Sequence, residues 1–230
     1  MSLSDIAAKL AAHKPRLEAG HVWLAGAGPG DPSLLTLEVL DALTQTDALV
    51  HDALVSDEIV AVAEQAEKFF VGKRGGRLFA RGGEEALALV EHGIPYRILP
   101  GVTSAFGGLA SAGIPITMRG VNGAVILATG FAALSDDRPD WAALARTGQP
   151  IVIYMGLTHM AETVADLRAG GLSQDTPAAL VENATLPGER TVVATLGTLV
   201  EVAARENVVS PALIVVGGIV ALRGRMAGPK

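Results

Sequence analysis

Three short stretches of the sequence carry residue types that suit anion binding or proton transfer. The run GAGPGD, residues 26–31, lies between an apolar segment and a periodic helix, where glycine-rich turns let backbone N–H groups approach a ligand. Asp52 follows a second apolar segment, at the strand end where open α/β sheets place their ligands, and a carboxylate there suits a general base. Four cations interleaved with glycines form the third stretch: Lys73, Arg74, Arg77 and Arg81.

Each stretch also has a simpler interpretation. For GAGPGD the simpler interpretation is a purely structural turn. The run also departs from the dinucleotide fingerprint GxGxxG because Asp31 replaces the third glycine, and a carboxylate there would repel a pyrophosphate. A nicotinamide-dependent oxidoreductase is therefore disfavoured, although it stays an alternative. A charge run can be a solvated loop, but the planar fork of arginine and the neighbouring glycines favour an anion-binding loop. Asp52 equally suits a helix cap or an Asx turn.

Composition excludes several classes of protein. The chain has 230 residues, half of them hydrophobic, and carries 18 Lys and Arg against 24 Asp and Glu, a net charge of −6. That balance argues against a general nucleic-acid binder. With no cysteine and five scattered histidines, thiolate chemistry is excluded and a metal site is not expected. No segment reads as a signal peptide or a membrane span, so we expect a cytoplasmic protein.

The elements that must position these residues alternate between strands and helices, which predicts an α/β fold with parallel pairing. We expect an N-terminal extension over 1–20, one α/β domain over 21–119 and a second over 120–230. Helices are predicted from about residue 34 to 46 and at 83–92, 157–169 and 197–206. The predicted strands are 22–25, 47–51, 68–72, 96–101, 124–129, 150–154, 177–181, 191–195 and 211–216.

Eight motifs occur in a specific order: GAGPGDPSLLT, DALVS, VGKRGGR, RGGEEA, LPGVTSA, AGIPIT, YMGL and ALVENAT. Together they resemble the tetrapyrrole methylase family, over nearly the whole chain from His21 to Arg223. The resemblance implies two α/β domains with the active-site cleft between them, usually in a homodimer. The motifs look most like those of members that methylate uroporphyrinogen III twice to give precorrin-2. The methyl donor would be S-adenosylmethionine, S-adenosylhomocysteine would be the product, and no metal would take part.

The resemblance also implies roles for single residues. Asp52 matches the proposed proton acceptor of the family and Lys73 its proposed proton donor. Substrate-contacting positions are matched by Arg81, Glu84 and Arg119. Cofactor-binding positions are matched by Pro29, Thr103, Ser104, Met155 and Ala184.

This chain departs from the family pattern at two places. Met118 stands where the family usually has His. Between Arg77 and Leu78 the family has several dozen further residues, comprising a helix, a strand and a GGDPF turn that contacts the cofactor. Either the protein lacks this segment or the sequence omits it; we favour omission, because losing a central strand would cost more free energy than marginal stability absorbs. A methylase of a later precorrin and a truncated, non-catalytic paralogue stay as alternatives.

Overall fold

The chain forms two compact units in a computed structural model that describes residues 16–72, 82–130 and 138–226. One unit comprises the residues up to Val102 and the other the residues from Thr103 onwards. Each unit combines strands with helices, so the predicted α/β class is confirmed.

The N-terminal unit contains four short strands and three helices among its described residues. Helix α1 begins after Thr36, whose hydroxyl caps it by accepting a hydrogen bond from the Val39 backbone N–H at 3.3 Å. Its buried face packs with Ile59 and Leu99 in the core of the unit. The strands are β1 (Val22–Ala25), β2 (Ala48–His51), β3 (Glu67–Phe70) and β4 (Tyr96–Leu99), and the helices are α1 (Leu37–Gln45), α2 (Asp57–Val62) and α3 (Gly82–Glu91).

These four strands form two separate parallel pairs. β1 pairs with β4 and β2 pairs with β3, and within the described ranges no hydrogen bonds join one pair to the other. Parallel sheets are normally covered on both faces by helices. Here three apolar strand residues are strongly exposed: Val50 at 62%, Phe70 at 64% and Ile98 at 60%. The described part of this unit thus holds an interrupted sheet.

The C-terminal unit has a continuous sheet of five strands in the order β5-β6-β9-β7-β8. β5 and β6 are parallel, whereas β9 is antiparallel to both β6 and β7, and β8 is antiparallel to β7. The strands are β5 (Ile126–Thr129), β6 (Ile151–Tyr154), β7 (Pro177–Glu182), β8 (Arg190–Thr195) and β9 (Ala212–Val216). The helices are α4 (Ser104–Ser111), α5 (Trp141–Arg146), α6 (Met160–Ala169), α7 (Leu199–Arg205) and α8 (Arg223–Met226).

All nine predicted strands are present, and no strand end differs by more than two residues from its predicted position. The antiparallel position of β9 between β6 and β7 was not predicted. The expected junction near residue 120 also differs from the division at Thr103. Residues that follow Thr103 pack on the second sheet, since Gly108 lies against Ala184 and the Ala112 carbonyl accepts a hydrogen bond from Arg223 Nε at 2.9 Å.

No helix in the described ranges combines the length and the apolar character that crossing a membrane requires.

Candidate functional site

In the N-terminal unit, the glycine-rich loop leaves β1 where the backbone of another loop comes very close. A Cβ atom built on Gly26 would lie 2.6 Å from the backbone nitrogen of Gly101, which follows β4. The Gly26 N–H donates to the Leu99 carbonyl at 3.0 Å. A side chain at either glycine would force the two loops apart, which explains why both positions are glycine. The loop that contains Pro29 is thereby held beside the carboxyl end of β4.

Asp31 closes this loop in a structural role. Its carboxylate accepts a hydrogen bond from the Ser33 backbone N–H at 2.7 Å and caps a short 3₁₀ helix at Pro32–Leu34. Hydrogen bonds from Ser33 lower the pKa of Asp31, so the loop carries a negative charge at neutral pH. An anionic group at this helix start opposes the binding of a second anion, which agrees with the departure from the dinucleotide fingerprint.

Asp52 is half-buried and lies directly after β2, in the turn that leads towards α2. Its Oδ1 accepts a hydrogen bond from the Leu54 backbone N–H at 2.9 Å, which is an Asx turn. The next loop residues contact the glycine-rich loop, since the Ser56 hydroxyl donates to the Gly30 carbonyl at 2.8 Å. The loops after β1 and β2 therefore meet within this unit. The Asx turn uses one carboxylate oxygen of Asp52; the second accepts no hydrogen bond from the described residues.

In the C-terminal unit, helix α4 begins at the edge of the sheet. Thr103 is its N-cap, and its hydroxyl accepts a hydrogen bond from the Ala105 backbone N–H at 3.4 Å. The same hydroxyl is hydrogen-bonded to the hydroxyl of Tyr154, the last residue of β6. Tyr154 is buried, and its hydroxyl ties the first turn of α4 to the carboxyl end of that strand. Ser104, half-buried, is the first residue of α4.

The strand order brings two further predicted residues to this edge. Because β9 is antiparallel to both neighbours, β6 and β7 run in the same direction and end at the same edge. Met155 follows β6 with φ of 49°, and Asn183 follows β7 with φ of 49°. Such left-handed conformations are uncommon outside glycine and often occur at functional sites. Ala184 comes next and packs against α4, where a Cβ on Gly108 would lie 2.6 Å from the Ala184 Cβ.

Of the four remaining predicted site residues, two are exposed and two lie outside the described residues. Glu84 is exposed in the first turn of α3 and Arg119 is exposed in the turn after Met118. Lys73 and Arg81 lie outside the described residues, as does the junction between Arg77 and Leu78.

Sequence reasoning missed two side chains at the C-terminal edge. No polar role is predicted for Tyr154, the last residue of the apolar strand IVIY. The usable signal is its hydroxyl, because a buried tyrosine hydroxyl usually forms a hydrogen bond. Glu189, just before β8, accepts hydrogen bonds from the Ser111 hydroxyl and the Thr185 backbone N–H, both at 2.6 Å. The sequence around Glu189 contains no local pattern that predicts those two hydrogen bonds.

The chemistry available at these loops is that of backbone groups, hydroxyls and a carboxylate. Within the ranges that the structure describes, no three His, Asp or Glu side chains are grouped so that they could hold a metal ion. The N-terminal loops can accept protons and hydrogen bonds at Asp52. The C-terminal edge offers the Thr103 hydroxyl together with the half-buried residues Met155 and Ala184, a combination that suits a ligand with both polar and apolar parts.

Comparison with protein families gives one match that covers most of the chain. The model of the tetrapyrrole (corrin/porphyrin) methylases matches residues 21–77 and 77–200. A uroporphyrinogen-III C-methyltransferase of Sinorhizobium sp. is 42% identical over 246 aligned positions, covering 92% of this chain and 88% of the relative. A sirohaem synthase of Neisseria meningitidis serogroup A is 38% identical over 97% of this chain, which spans only 52% of that relative.

Solved structures include similar chains. A uroporphyrin-III C-methyltransferase from Thermus thermophilus, complexed with S-adenosylhomocysteine, superposes with a TM-score of 0.76 at 34% identity. The superposition covers 88% of this chain and 94% of that structure.

Proposed function

The chain is a methyltransferase of the tetrapyrrole (corrin/porphyrin) methylase family, and we propose that it methylates uroporphyrinogen III twice, giving precorrin-2. Its cofactor is S-adenosylmethionine. The observation that carries the substrate assignment is the 42% identity to a uroporphyrinogen-III C-methyltransferase across 92% of the chain. The product lies on the route to sirohaem and cobalamin, and the similarity to sirohaem synthases supports the sirohaem branch.

The C-terminal edge fits the methyl donor. S-adenosylmethionine has an aromatic adenine with apolar faces and a polar edge, polar ribose and amino-acid parts, and a sulfonium that supplies an electrophilic methyl group. Thr103 offers a hydroxyl, Met155 follows β6 in a left-handed conformation, and Ala184 offers apolar contact. We assign Thr103, Ser104, Met155 and Ala184 to the binding of this ligand. Pro29, in the glycine-rich loop of the other unit, is assigned to it by the family motif.

The substrate assignment fits the distribution of charge. Uroporphyrinogen III carries several carboxylates, and the cluster Lys73, Arg74, Arg77 and Arg81 concentrates positive charge in a chain whose net charge is −6. We assign Arg81, Glu84 and Arg119 to substrate contacts. Arginine is suited to carboxylates because its planar guanidinium donates two parallel hydrogen bonds.

Proton handling is assigned to Asp52 and Lys73. Methylation of a pyrrole carbon leaves a cationic adduct, which must lose a proton to reach the product. Asp52 follows a strand, is half-buried and keeps one carboxylate oxygen free of hydrogen bonds from the described residues. Lys73, which comes soon after β3, is proposed as the proton donor. A methylase acting on a later precorrin would use the same groups, so a direct assay with uroporphyrinogen III separates the two substrates.

We expect S-adenosylhomocysteine to raise the melting temperature of the protein. A ligand at a concentration of about 100 Kd stabilises the folded state by about 2.7 kcal/mol. For a chain of this size that corresponds to a rise of about 5–10 °C, measurable by thermal shift. NAD is the control and should have no effect, because Asp31 opposes pyrophosphate binding. Stabilisation by NAD alone would overturn the methylase assignment.

We also propose that the natural protein contains a strand-forming segment between Arg77 and Leu78, and that the 230-residue sequence omits it. The family match breaks at residue 77 and resumes there, and the alignment with the Sinorhizobium relative has 246 positions against 230 residues in this chain. The interrupted N-terminal sheet supports the same interpretation, because two-stranded sheets are not independently stable. A strand between the pairs would join them into one sheet.

Intact mass spectrometry of the natural gene product tests this omission. We expect a mass well above the 23.6 kDa of the 230 residues, since several dozen residues would be added. Chymotryptic mapping provides the control, because a continuous chain would yield the peptide VGKRGGRL spanning Val71 to Leu78. A mass of 23.6 kDa together with that peptide would show a true deletion and would favour the non-catalytic paralogue.

A cytoplasmic location and a homodimeric assembly belong to the same proposal. The location follows from the sequence expectation and the homodimer from the family resemblance, and analytical ultracentrifugation of the purified protein measures the assembly.

A further inference from the structure

The loop that joins β7 to β8, residues 183–189, has two internal backbone hydrogen bonds, from the Leu186 N–H to the Asn183 carbonyl at 2.9 Å and from the Glu189 N–H to the Leu186 carbonyl at 3.0 Å. One carboxylate adds side-chain contacts to them. Glu189 Oε2 accepts a hydrogen bond from the Thr185 backbone N–H at 2.6 Å, within the loop itself. The same oxygen accepts a second hydrogen bond from the Ser111 hydroxyl, also at 2.6 Å. Ser111 is the last residue of α4, so this carboxylate joins the loop to the helix.

The loop needs such support because its backbone is strained. Asn183 has φ of 49° and Thr185 has φ of 67°. The left-handed region is costly for a β-branched residue such as threonine, so surrounding contacts must hold it there. The hydrogen bond from the Thr185 N–H to Glu189 is made by the strained residue itself. Loss of that bond would let the loop relax towards commoner backbone conformations.

Ala184 lies between the two strained residues and contacts α4. The contact is close enough that a Cβ atom on Gly108 would lie 2.6 Å from the Ala184 Cβ. Relaxation of the loop would therefore move Ala184 relative to the helix that starts at Thr103. Ser104, Thr103 and Ala184 are three of the residues that we assign to the methyl donor.

The base of the loop is fixed independently of Glu189. Glu182, buried at the end of β7, forms an ion pair with Arg190 at the start of β8 and accepts a hydrogen bond from the Val209 N–H at 3.1 Å. Arg190 also donates to the carbonyls of Glu206 at 2.8 Å and Asn207 at 3.1 Å. These contacts hold the strand ends, so a change at Glu189 should act on the loop and leave the sheet intact.

We propose that Glu189 is a positioning residue for S-adenosylmethionine, acting through the backbone of Ala184 and Thr185. The inference rests on the proposed function, since it concerns the same ligand. Both hydrogen bonds go to one oxygen, so a neutral amide oxygen at this position can accept both. The positioning role therefore requires an acceptor oxygen at this place more than it requires a negative charge.

Isothermal titration of S-adenosylhomocysteine into the full chain tests this role, at a temperature well below every melting point. We expect Glu189→Ala to raise Kd roughly ten-fold and to raise KM for S-adenosylmethionine more than it lowers kcat. Glu189→Gln should stay within about three-fold of the wild type because the amide oxygen still accepts both bonds. Ser111→Ala, which removes one of the two bonds, should fall between them. Glu201→Ala, an exposed glutamate on α7, is the matched control and should leave Kd unchanged.

The outcomes separate the two proposals. Wild-type protein that does not bind S-adenosylhomocysteine contradicts the proposed function. Wild-type binding with an unchanged Kd in Glu189→Ala overturns the positioning role alone, even where its melting temperature falls. Equal losses in Glu189→Ala and Glu189→Gln would also overturn it, because charge would then matter more than geometry. If Glu189→Ala does not fold, an unchanged Kd in Ser111→Ala is the overturning result.

Discussion

Replacement of Asp52 by Asn is expected to slow methyl transfer by about 10²–10⁴-fold, the usual contribution of a positioned acid or base. The substitution keeps the shape of the side chain and removes its basicity. The Asn side-chain oxygen can still accept the hydrogen bond from the Leu54 N–H that closes the Asx turn at 2.9 Å. We therefore expect the fold, the melting temperature and the Kd for S-adenosylhomocysteine to stay close to those of the wild type.

The measurement is single-turnover methyl transfer at saturating uroporphyrinogen III. A competing role for Asp52 is to orient a pyrrole N–H, which an Asn oxygen can also do. That role predicts a loss of about 1–2 kcal/mol in substrate binding and little change in the chemical step. Methyl transfer that is no slower in Asp52→Asn would show that orientation is the better account.

Asp52→Ala is the matched control for the structural role. It removes the turn hydrogen bond as well as the basicity, so its melting temperature should fall below that of Asp52→Asn. If the two variants lose the same activity while only Asp52→Ala loses stability, the activity depends on the carboxylate and not on the turn.

Replacement of Arg81 by Ala is expected to weaken the binding of uroporphyrinogen III by about one to two decades. A hydrogen bond to a charged group contributes about 1.5–3 kcal/mol, and the substrate presents several carboxylates. The Kd for S-adenosylhomocysteine should change little, because Arg81 is assigned to the substrate alone. Steady-state KM for the tetrapyrrole, together with calorimetry of the cofactor product, separates the two effects.

Salt and a surface variant control for general electrostatics. Added salt should weaken substrate binding by the wild type, since exposed charges are screened over about 10 Å at 0.1 M. Arg168→Ala, at the exposed end of α6, removes the same charge from the other unit and should leave the KM for the tetrapyrrole unchanged. An unchanged KM in Arg81→Ala, with the fold intact, would move the substrate site elsewhere.

Much of the local structure was predictable because the signals are local. The alternation of apolar strands with periodic helices identified each strand of the described residues, and it gave both ends of β1, Val22–Ala25, correctly. The glycine-rich loop was expected after a strand and lies there. Asp52 lies at a strand end, as predicted, and its carboxylate forms the Asx turn that the sequence equally suits. Its catalytic role stays a prediction, as do the catalytic role of Lys73 and the substrate contact of Arg81.

The motifs also identified the family, which the comparisons confirm. Such motifs are readable without coordinates because each needs particular residue types at fixed short spacing. The roles that follow from them depend on the family pattern and not on the packing of this chain.

The amino-acid sequence by itself determined the α/β class, the order of the strands along the chain and the family, because periodicity and motifs act over a few residues. Only the tertiary structure decided which strands pair. β9 enters antiparallel between β6 and β7, which brings Met155 and Ala184 to one edge, and Glu189 reaches Ser111 on a helix distant in sequence. Strand pairing of this kind depends on side-chain packing between segments that are distant in sequence. Many residues contribute to it at once, so no local sequence pattern predicts it.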